Sequence, residues 1–341
     1  MVSILSEEDS NQIALPNGTV ATTALVDVNL VTYNHEKFIA RAIESVLAQK
    51  TDFRYRLIIG DDCSTDNTQA IIRKYAKQYP DRIQPLISPE HRGITHRERV
   101  GVQALKLNNA KYVALLDGDD YWTDTRKLQM QVDFLEAHPD YALCFHNAEI
   151  VRPEGASGPD TFSPADQKET STLEDLLRGN FIFTGSVMFR GGLFKELPEW
   201  FPANIGDWPL HILNAQYGKI KYFNQVMAAY RLHEGSVWSS LALEQQLSHM
   251  IKFLEVIDAR LDFKYHRACV AGAGELKQSC AYIFLGKFHT EARSGRLIQA
   301  GPLLLKAVKH DPWRFADPRQ LVYIIKSFFI WVIRKSYMTN S

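Results

Sequence analysis

Lys111-Tyr112-Val113-Ala114-Leu115-Leu116-Asp117-Gly118-Asp119-Asp120-Tyr121-Trp122 runs from an apolar stretch straight into three carboxylates within four residues. The apolar part, residues 111–116, reads as a short buried strand. Like charges so close together repel, so a folded chain must offset their cost with cations, hydrogen bonds or water. A hard divalent ion meets that need, because oxygen ligands satisfy Mn2+ or Mg2+ and the ion then bridges to substrate phosphates. Gly118 lets the backbone turn sharply and approach a ligand closely. The plainer reading of the same residues is an acidic turn closing a strand. An EF-hand is disfavoured, since its ladder of oxygen ligands and closing Glu are missing.

Upstream, strand-like and helix-like segments alternate. Residues 26–32 (VDVNLVT) suit a buried strand, and residues 36–49 place Phe38, Ile39, Ala42, Ile43 and Val46 at helical spacing. Residues 55–59 read as strand and 68–78 as helix, with Ser64, Thr65, Asp66 and Asn67 offering helix-start chemistry. Residues 82–87 make a third strand and 98–107 a further helix. Such alternation implies crossover connections and a mostly parallel central sheet flanked by helices, an α/β fold. Ligands of these sheets bind beyond the carboxyl ends of the strands. The polar clusters Tyr33-Asn34-His35, Asp61-Asp62 and Asp117-Gly118-Asp119-Asp120 all fall at strand exits, so they point to one shared site.

Downstream, residues 127–138 form an amphipathic helix ended by Pro139, followed by a strand over 141–151 and a polar loop over 152–171. Residues 181–190 and 219–230 look strand-like, with a helix over 208–216 between them. From residue 241 the pattern is helical, with helices near 241–261, 271–294 and 298–308, giving a helical C-terminal extension.

The 341 residues allow roughly two domains, and a 45% hydrophobic content suffices for a substantial core. Lys plus Arg and Asp plus Glu each number 39, a balance that argues against general nucleic-acid binding. Cys63, Cys144, Cys269 and Cys280 form no CxxC pair, which disfavours a disulfide framework or a Cys-rich zinc site and fits a cytoplasmic setting. Residues 1–24 are polar and acidic, unlike a signal peptide, and read as a flexible tail. No stretch reaches the roughly 20 apolar residues of a spanning helix. Residues 321–333 (LVYIIKSFFIWVI), bracketed by Arg319, Arg334 and Lys335, suit an amphipathic helix lying at the inner membrane face or one packed on its own protein. Oligomeric state is not legible in the sequence.

The dinucleotide and P-loop glycine patterns are absent after residues 55–59, which disfavours those enzyme classes. In Gly60-Asp61-Asp62-Cys63-Ser64-Thr65-Asp66-Asn67-Thr68 one carboxylate suits a base's ring N–H, and the others suit capping. TYNHEKFIARAIESVLAQ (residues 32–49), IIGDDCSTDNT (58–68), ALLDGDDYW (114–122) and KLQMQVDFL (127–135), in that order, resemble the inverting glycosyltransferases of family 2. Gly206-Asp207-Trp208 and Tyr230-Arg231-Leu232-His233-Glu234-Gly235-Ser236 extend the resemblance to about residue 240. The last hundred residues match loosely or lie outside it.

The resemblance implies a GT-A fold over residues 25–240, divided into a nucleotide-sugar half (25–125) and an acceptor half (126–240), with residues 241–341 as a helical region. It also implies a nucleotide-sugar donor, UDP by family frequency, a glycan, polysaccharide or lipid-linked acceptor, and bound Mn2+ or Mg2+. By position, Tyr33 would lie against the nucleobase and Asp62 would accept a hydrogen bond from it, with Asn34, Asp61 and Gly118 in the same nucleotide-sugar site. Asp117 would sit by the ribose and metal, Asp119 would be the metal ligand of the DxD motif, and His233 would contact metal or diphosphate. Arg231 would pair with diphosphate and Asp207 would be the catalytic base. Two positions depart from the pattern. Gly206 stands where an acidic residue often precedes the base, and Arg97-Glu98-Arg99 replaces a usual Ala-Arg-Asn, leaving Arg97 and Arg99 both as candidates to read the base.

The chemistry is consistent with the residue types themselves. A carboxylate within hydrogen-bond reach can deprotonate an acceptor hydroxyl, and a cation stabilises the charge developing on a leaving diphosphate. Retention would need a second carboxylate as nucleophile. Asp207 also suits plain N-capping of the helix at Trp208. Trp122, Trp208 and Trp238 are candidates for sugar stacking or for the core. Two other classes compete. One is a nucleotide-sugar-binding protein without transfer activity, its C-terminal half a partner surface; the other is a nucleotidyltransferase, for which no basic triphosphate loop is present.

Overall fold

The computed structural model describes residues 12–14, 20–22 and 24–312, apart from 94, 95, 97, 157, 159, 195, 199, 200, 202–205, 235–240 and 295. The described chain divides into two compact units near residue 234, the short stretch Leu177–Gly179 going with the second.

The first unit opens with β1 (Gln12–Ala14) and β2 (Val20–Thr22), paired antiparallel. Composition suggests only a flexible tail over these residues. The main sheet begins with β3 (Val26–Thr32), followed by α1 (Ile39–Leu47), β4 (Tyr55–Asp61), α2 (Thr68–Gln78), β5 (Ile83–Ile87), α3 (Val100–Lys106) and β6 (Tyr112–Asp117). β3 lies between β4 and β6, parallel to both, and β5 adds parallel to β4 at the edge. Pro85 within β5 is tolerated there because an edge strand has one side without a ladder to satisfy.

β3 is buried on both faces, as a central parallel strand should be. Val26, Val28 and Leu30 carry its apolar face, while Asp27 on the other is gripped by Arg56 through bonds of 2.9 and 2.8 Å. α1 covers the sheet with Ile39, Ala42, Ile43 and Val46, all fully buried. At the start of α2 the Asp66 carboxylate accepts the Thr68 N–H at 2.9 Å, which satisfies one of the orphan donors of a helix start.

After β6 come β7 (Tyr121–Trp122), α4 (Lys127–Ala137), β8 (Tyr141–Val151), β9 (Thr170–Ser171), α5 (Leu173–Arg178), β10 (Met188–Arg190), α6 (Trp208–Ala215) and β11 (Lys219–Arg231). The sheet order is β5-β4-β3-β6-β10-β8-β11-β7, with β9 also on β11. β11 runs parallel to β8, whereas the short strands β7, β9 and β10 join antiparallel. Only the end of the strand-like stretch 181–190 becomes strand. Thr184–Ser186 forms a 3-10 turn instead, its carbonyls drawn out of the ladder: Trp122 Nε1 donates to the Gly185 carbonyl at 2.8 Å, and the Ser186 hydroxyl to that of Phe183 at 2.6 Å.

The second unit contains α7 (Leu243–Arg260), α8 (His266–Arg293) and α9 (Leu297–His310), with α8 packed on both others. Leu247, Ile251 and Cys280 form one apolar cluster; Phe284, Leu285, Phe288, Ala292, Ala300 and Ala307 form another. Among the described residues no helix is long and apolar enough to cross a membrane. Residues 321–333, the stretch suited to a membrane interface, lie outside the described residues.

Candidate active site

β6 ends at Asp117, and the chain turns at once beneath the end of β3. The Gly118 N–H donates to the Val31 carbonyl at 2.8 Å. A Cβ at Gly118 would stand 2.5 Å from Thr32 Oγ1 and 3.0 Å from His35 Nδ1, so the close approach requires glycine. Asp120, almost fully buried, accepts the Arg231 backbone N–H at 2.8 Å, and Arg231 Nη1 donates to the Asp119 carbonyl at 2.6 Å. The end of β11 is thereby locked to the acidic turn, with the Arg231 guanidinium 4.4 Å from the Tyr121 ring centre.

That lock delivers His233 to the turn. Its Nε2 lies 2.9 Å from Asp119 Oδ2, and His35 Nε2, from the exit of β3, lies 3.8 Å from the same oxygen. Donor atoms of His35, Asp119 and His233 all fall within 4.8 Å of one another. Burial, opposed in part by Asp119, lowers the His35 pKa and so favours the imidazole form that can offer a lone pair. Burial works against ionisation of Asp119, but the His233 hydrogen bond and the nearby His35 outweigh it and hold its pKa below the usual value. For Asp117, burial and the charges of Asp119 and Asp207 push the pKa well up. Asp120 is raised likewise by burial and by the charges of Asp119 and Asp117. Two imidazole nitrogens and an ionised carboxylate, beside two carboxyls that ionise only at a cost, make a donor set that fits a divalent cation. Asp117, expected from the sequence as a second ligand, is not one of the three convergent groups; it faces Thr184 and Asp207.

Asp207 stands at the N-cap position of α6, yet its side chain makes no capping bond. Its Oδ2 instead accepts the Thr184 hydroxyl at 2.6 Å and meets His211 Nε2 at 3.0 Å, while Asn180 Nδ2 is 3.4 Å from Oδ1. Burial again disfavours the charge, but His211 and Thr184 outweigh it, so the Asp207 pKa is lowered and the group is ionised at neutral pH. Gly206 before it takes φ +48°, a left-handed conformation that accounts for glycine where the family pattern has an acidic residue. Arg99 reaches the Gly206 carbonyl at 3.5 Å and lies over Phe201 at 5.4 Å.

At the exits of β3 and β4 the expected nucleotide residues divide into two sets. Tyr33 is stacked face to face with His91 at 4.0 Å, and Asp62 accepts the backbone N–H groups of Arg92 and Gly93 at 3.1 and 2.7 Å, with His91 Nδ1 at 2.9 Å. Asn34, at φ +53°, accepts the Thr65 N–H at 2.8 Å and ties the two exits together. Asp61 is fully buried, and its carboxylate accepts the Ser64 N–H at 3.0 Å and the Ser64 hydroxyl, which shapes the turn. Arg97 lies outside the described residues.

Trp122 and Trp208 are core residues whose indole N–H groups donate to the carbonyls of Gly185 and Leu176; Trp238 lies outside the described residues. The sequence alone gives no role to His35, His91, His211 or Thr184. His35 was within a recognised cluster, and His211 carried the signal of i, i+4 spacing from Asp207 on a helix. Nothing in the local sequence pointed to Thr184 or His91, which meet their partners only through the fold.

Comparison with known proteins gives a consistent family assignment. The model described as "Glycosyl transferase family 2" matches residues 27–197. The uncharacterized protein Rv1520 of Mycobacterium tuberculosis is 33% identical over 295 residues, covering 83% of this chain and 79% of its own. Among solved structures, TarS 1–349 of S. aureus in complex with UDP-GlcNAc is similar over 93% of this chain and 92% of its own, with a TM-score of 0.58 at 20% identity. The mannosyltransferase PcManGT from Pyrobaculum calidifontis, in complex with GDP-Man and Mn2+, covers 85% of this chain and 88% of its own, with a TM-score of 0.50 at 17% identity.

Proposed function

Because this chain belongs to glycosyl transferase family 2, has a GT-A-like fold and is a nucleotide-sugar glycosyltransferase, we propose that it inverts the sugar it transfers, using Asp207 as base and a divalent cation at Asp119, His233 and His35. The observation that carries this reading is the Asp207 carboxylate held by Thr184 and His211, together with the convergence of His35, Asp119 and His233 at the acidic turn.

Asp207 takes the proton of an acceptor hydroxyl as that oxygen bonds to the anomeric carbon. The bond from that carbon to the diphosphate breaks on the opposite side, its electron pair leaving with the nucleoside diphosphate. One displacement inverts the configuration. A bound cation would neutralise charge on the leaving diphosphate. Arg231 adds a fixed positive charge nearby, held by the DxD backbone. Tyr33 with His91 offers a stacking surface for the base. A UDP-sugar is the first donor to test, UDP-GlcNAc being the ligand of the TarS complex; a glycan, polysaccharide or lipid-linked alcohol is the acceptor class.

The test is a screen of UDP-, GDP-, dTDP- and CMP-sugars with the purified protein, with and without Mn2+, read as slow donor hydrolysis and acceptor transfer. One nucleotide family should turn over only with metal, and Asp207→Asn should lower that turnover roughly 10^2- to 10^4-fold. Full turnover by the Asn variant would remove Asp207 from the role of base.

A further inference from the structure

Asp207 and His211 are four residues apart on α6, so one turn of helix brings their side chains together. The two oxygens of Asp207 are treated unequally. Oδ2 receives both close donors, Thr184 Oγ1 at 2.6 Å and His211 Nε2 at 3.0 Å, while among the described residues Oδ1 meets only the Asn180 amide at 3.4 Å. The His211 ring is wholly buried, whereas the Asp207 side chain keeps 18% of its surface exposed. The exposed end of this pair is therefore the carboxylate, and the imidazole stands behind it.

The ring's other nitrogen, Nδ1, is buried with no hydrogen-bond partner among the described residues. A proton on Nδ1 would be a buried donor left unpaired, a costlier state than an unpaired lone pair at an imidazole nitrogen. The favoured tautomer has its proton on Nε2, donating to Asp207. This is the relation of a base to the group that orients it.

We propose that His211 is the positioning residue of the base: with Thr184 it pins Asp207 Oδ2 and leaves Oδ1 turned out to receive the acceptor's proton. The proposal rests on the reading of Asp207 as base. It assigns His211 no contact with substrate and no proton of its own to transfer. What it supplies is direction, since a reacting group displaced by an ångström loses roughly 10^2-fold in rate.

The test compares His211→Leu, which keeps bulk and removes the donor, with His211→Gln, whose amide nitrogen can occupy the place of Nε2. Donor affinity is measured by calorimetry and turnover on the same preparations, with Asp207→Asn alongside. The Leu variant should bind donor like the native protein and lose roughly 10- to 100-fold in kcat, and the Gln variant should recover most of that loss. Leu and native proteins turning over equally, with Asp207→Asn inactive, would overturn the role of His211 and leave the base in place; an active Asp207→Asn would instead remove the base reading itself. Nitrogen-15 spectra of the native protein supply a readout independent of the Leu variant's folding, with the His211 signals identified by their loss in the Gln variant. The proton should be found on Nε2, and a proton on Nδ1 with Nε2 bare would overturn the proposal.

Discussion

At the scale of single residues, the histidines of the site fall into two groups by the carboxylate that each one meets. His233 and His35 approach one oxygen of Asp119 from β11 and β3, and His211 approaches one oxygen of Asp207 from within α6. The first pair bears on metal choice. Imidazole nitrogens suit transition-metal ions, whereas Mg2+ prefers oxygen ligands and keeps its waters. Mn2+ should accordingly bind more tightly than Mg2+ in calorimetric titration, and His35→Ala should weaken Mn2+ roughly tenfold or more while hardly affecting Mg2+. Equal loss for both ions would show that His35 acts on the shape of the turn and not as a ligand. Gly118 belongs to the same scale: a Cβ there would stand 2.5 Å from Thr32 Oγ1, so only glycine lets the turn pass so close.

At the scale of elements, the regular parts were legible in sequence and the irregular parts were not. Apolar spacing located α1 through Ile39, Ala42, Ile43 and Val46, and the run before Asp117 located β6, because burial of one face imposes a period on the chain. Thr184–Ser186 read as strand because its neighbours are apolar, yet its backbone is diverted by the Trp122 indole, a partner 63 residues away in sequence. Asp117, Asp119, His233 and Asp207 are picked out as a set only through the ordered resemblance to family 2, since Asp207 alone suits plain capping. Thr184 and His91 are not, since only tertiary contact gives them a role.

Lys127 was hidden for a similar reason: it opens an amphipathic helix where a lysine should point to water. Instead it is fully buried, donating to Gln131 Oε1 at 2.8 Å and lying 4.1 Å from the Trp122 ring centre. Burial lowers its pKa to about 7, well under the ordinary 10.5. Between those values the unfolded chain binds the proton that the folded chain has released, so stability must rise with pH there. Chemical denaturation of the native protein and of Lys127→Met from pH 7 to 9 should show the native protein gaining about 1 kcal/mol per pH unit on the variant. Parallel curves would mean that the amine stays charged in the core.

At the scale of the whole molecule, the balanced charge argues only against general nucleic-acid binding, and the resemblance to family 2 lies in the first unit while the second is legible only as helices. Within the first unit, β3, β6 and β11 end around one acidic turn, and the protein's chemistry follows from what those ends hold together. Calorimetric titration of the donor that the screen identifies, in Mn2+ and then in excess chelator, tests this most directly. Binding should require the metal and should fall sharply in Asp119→Asn and His233→Ala while persisting in Asp207→Asn. Donor binding of equal strength in chelator, or unaffected by loss of Asp119 and His233, would contradict a metal-bridged donor site at this turn.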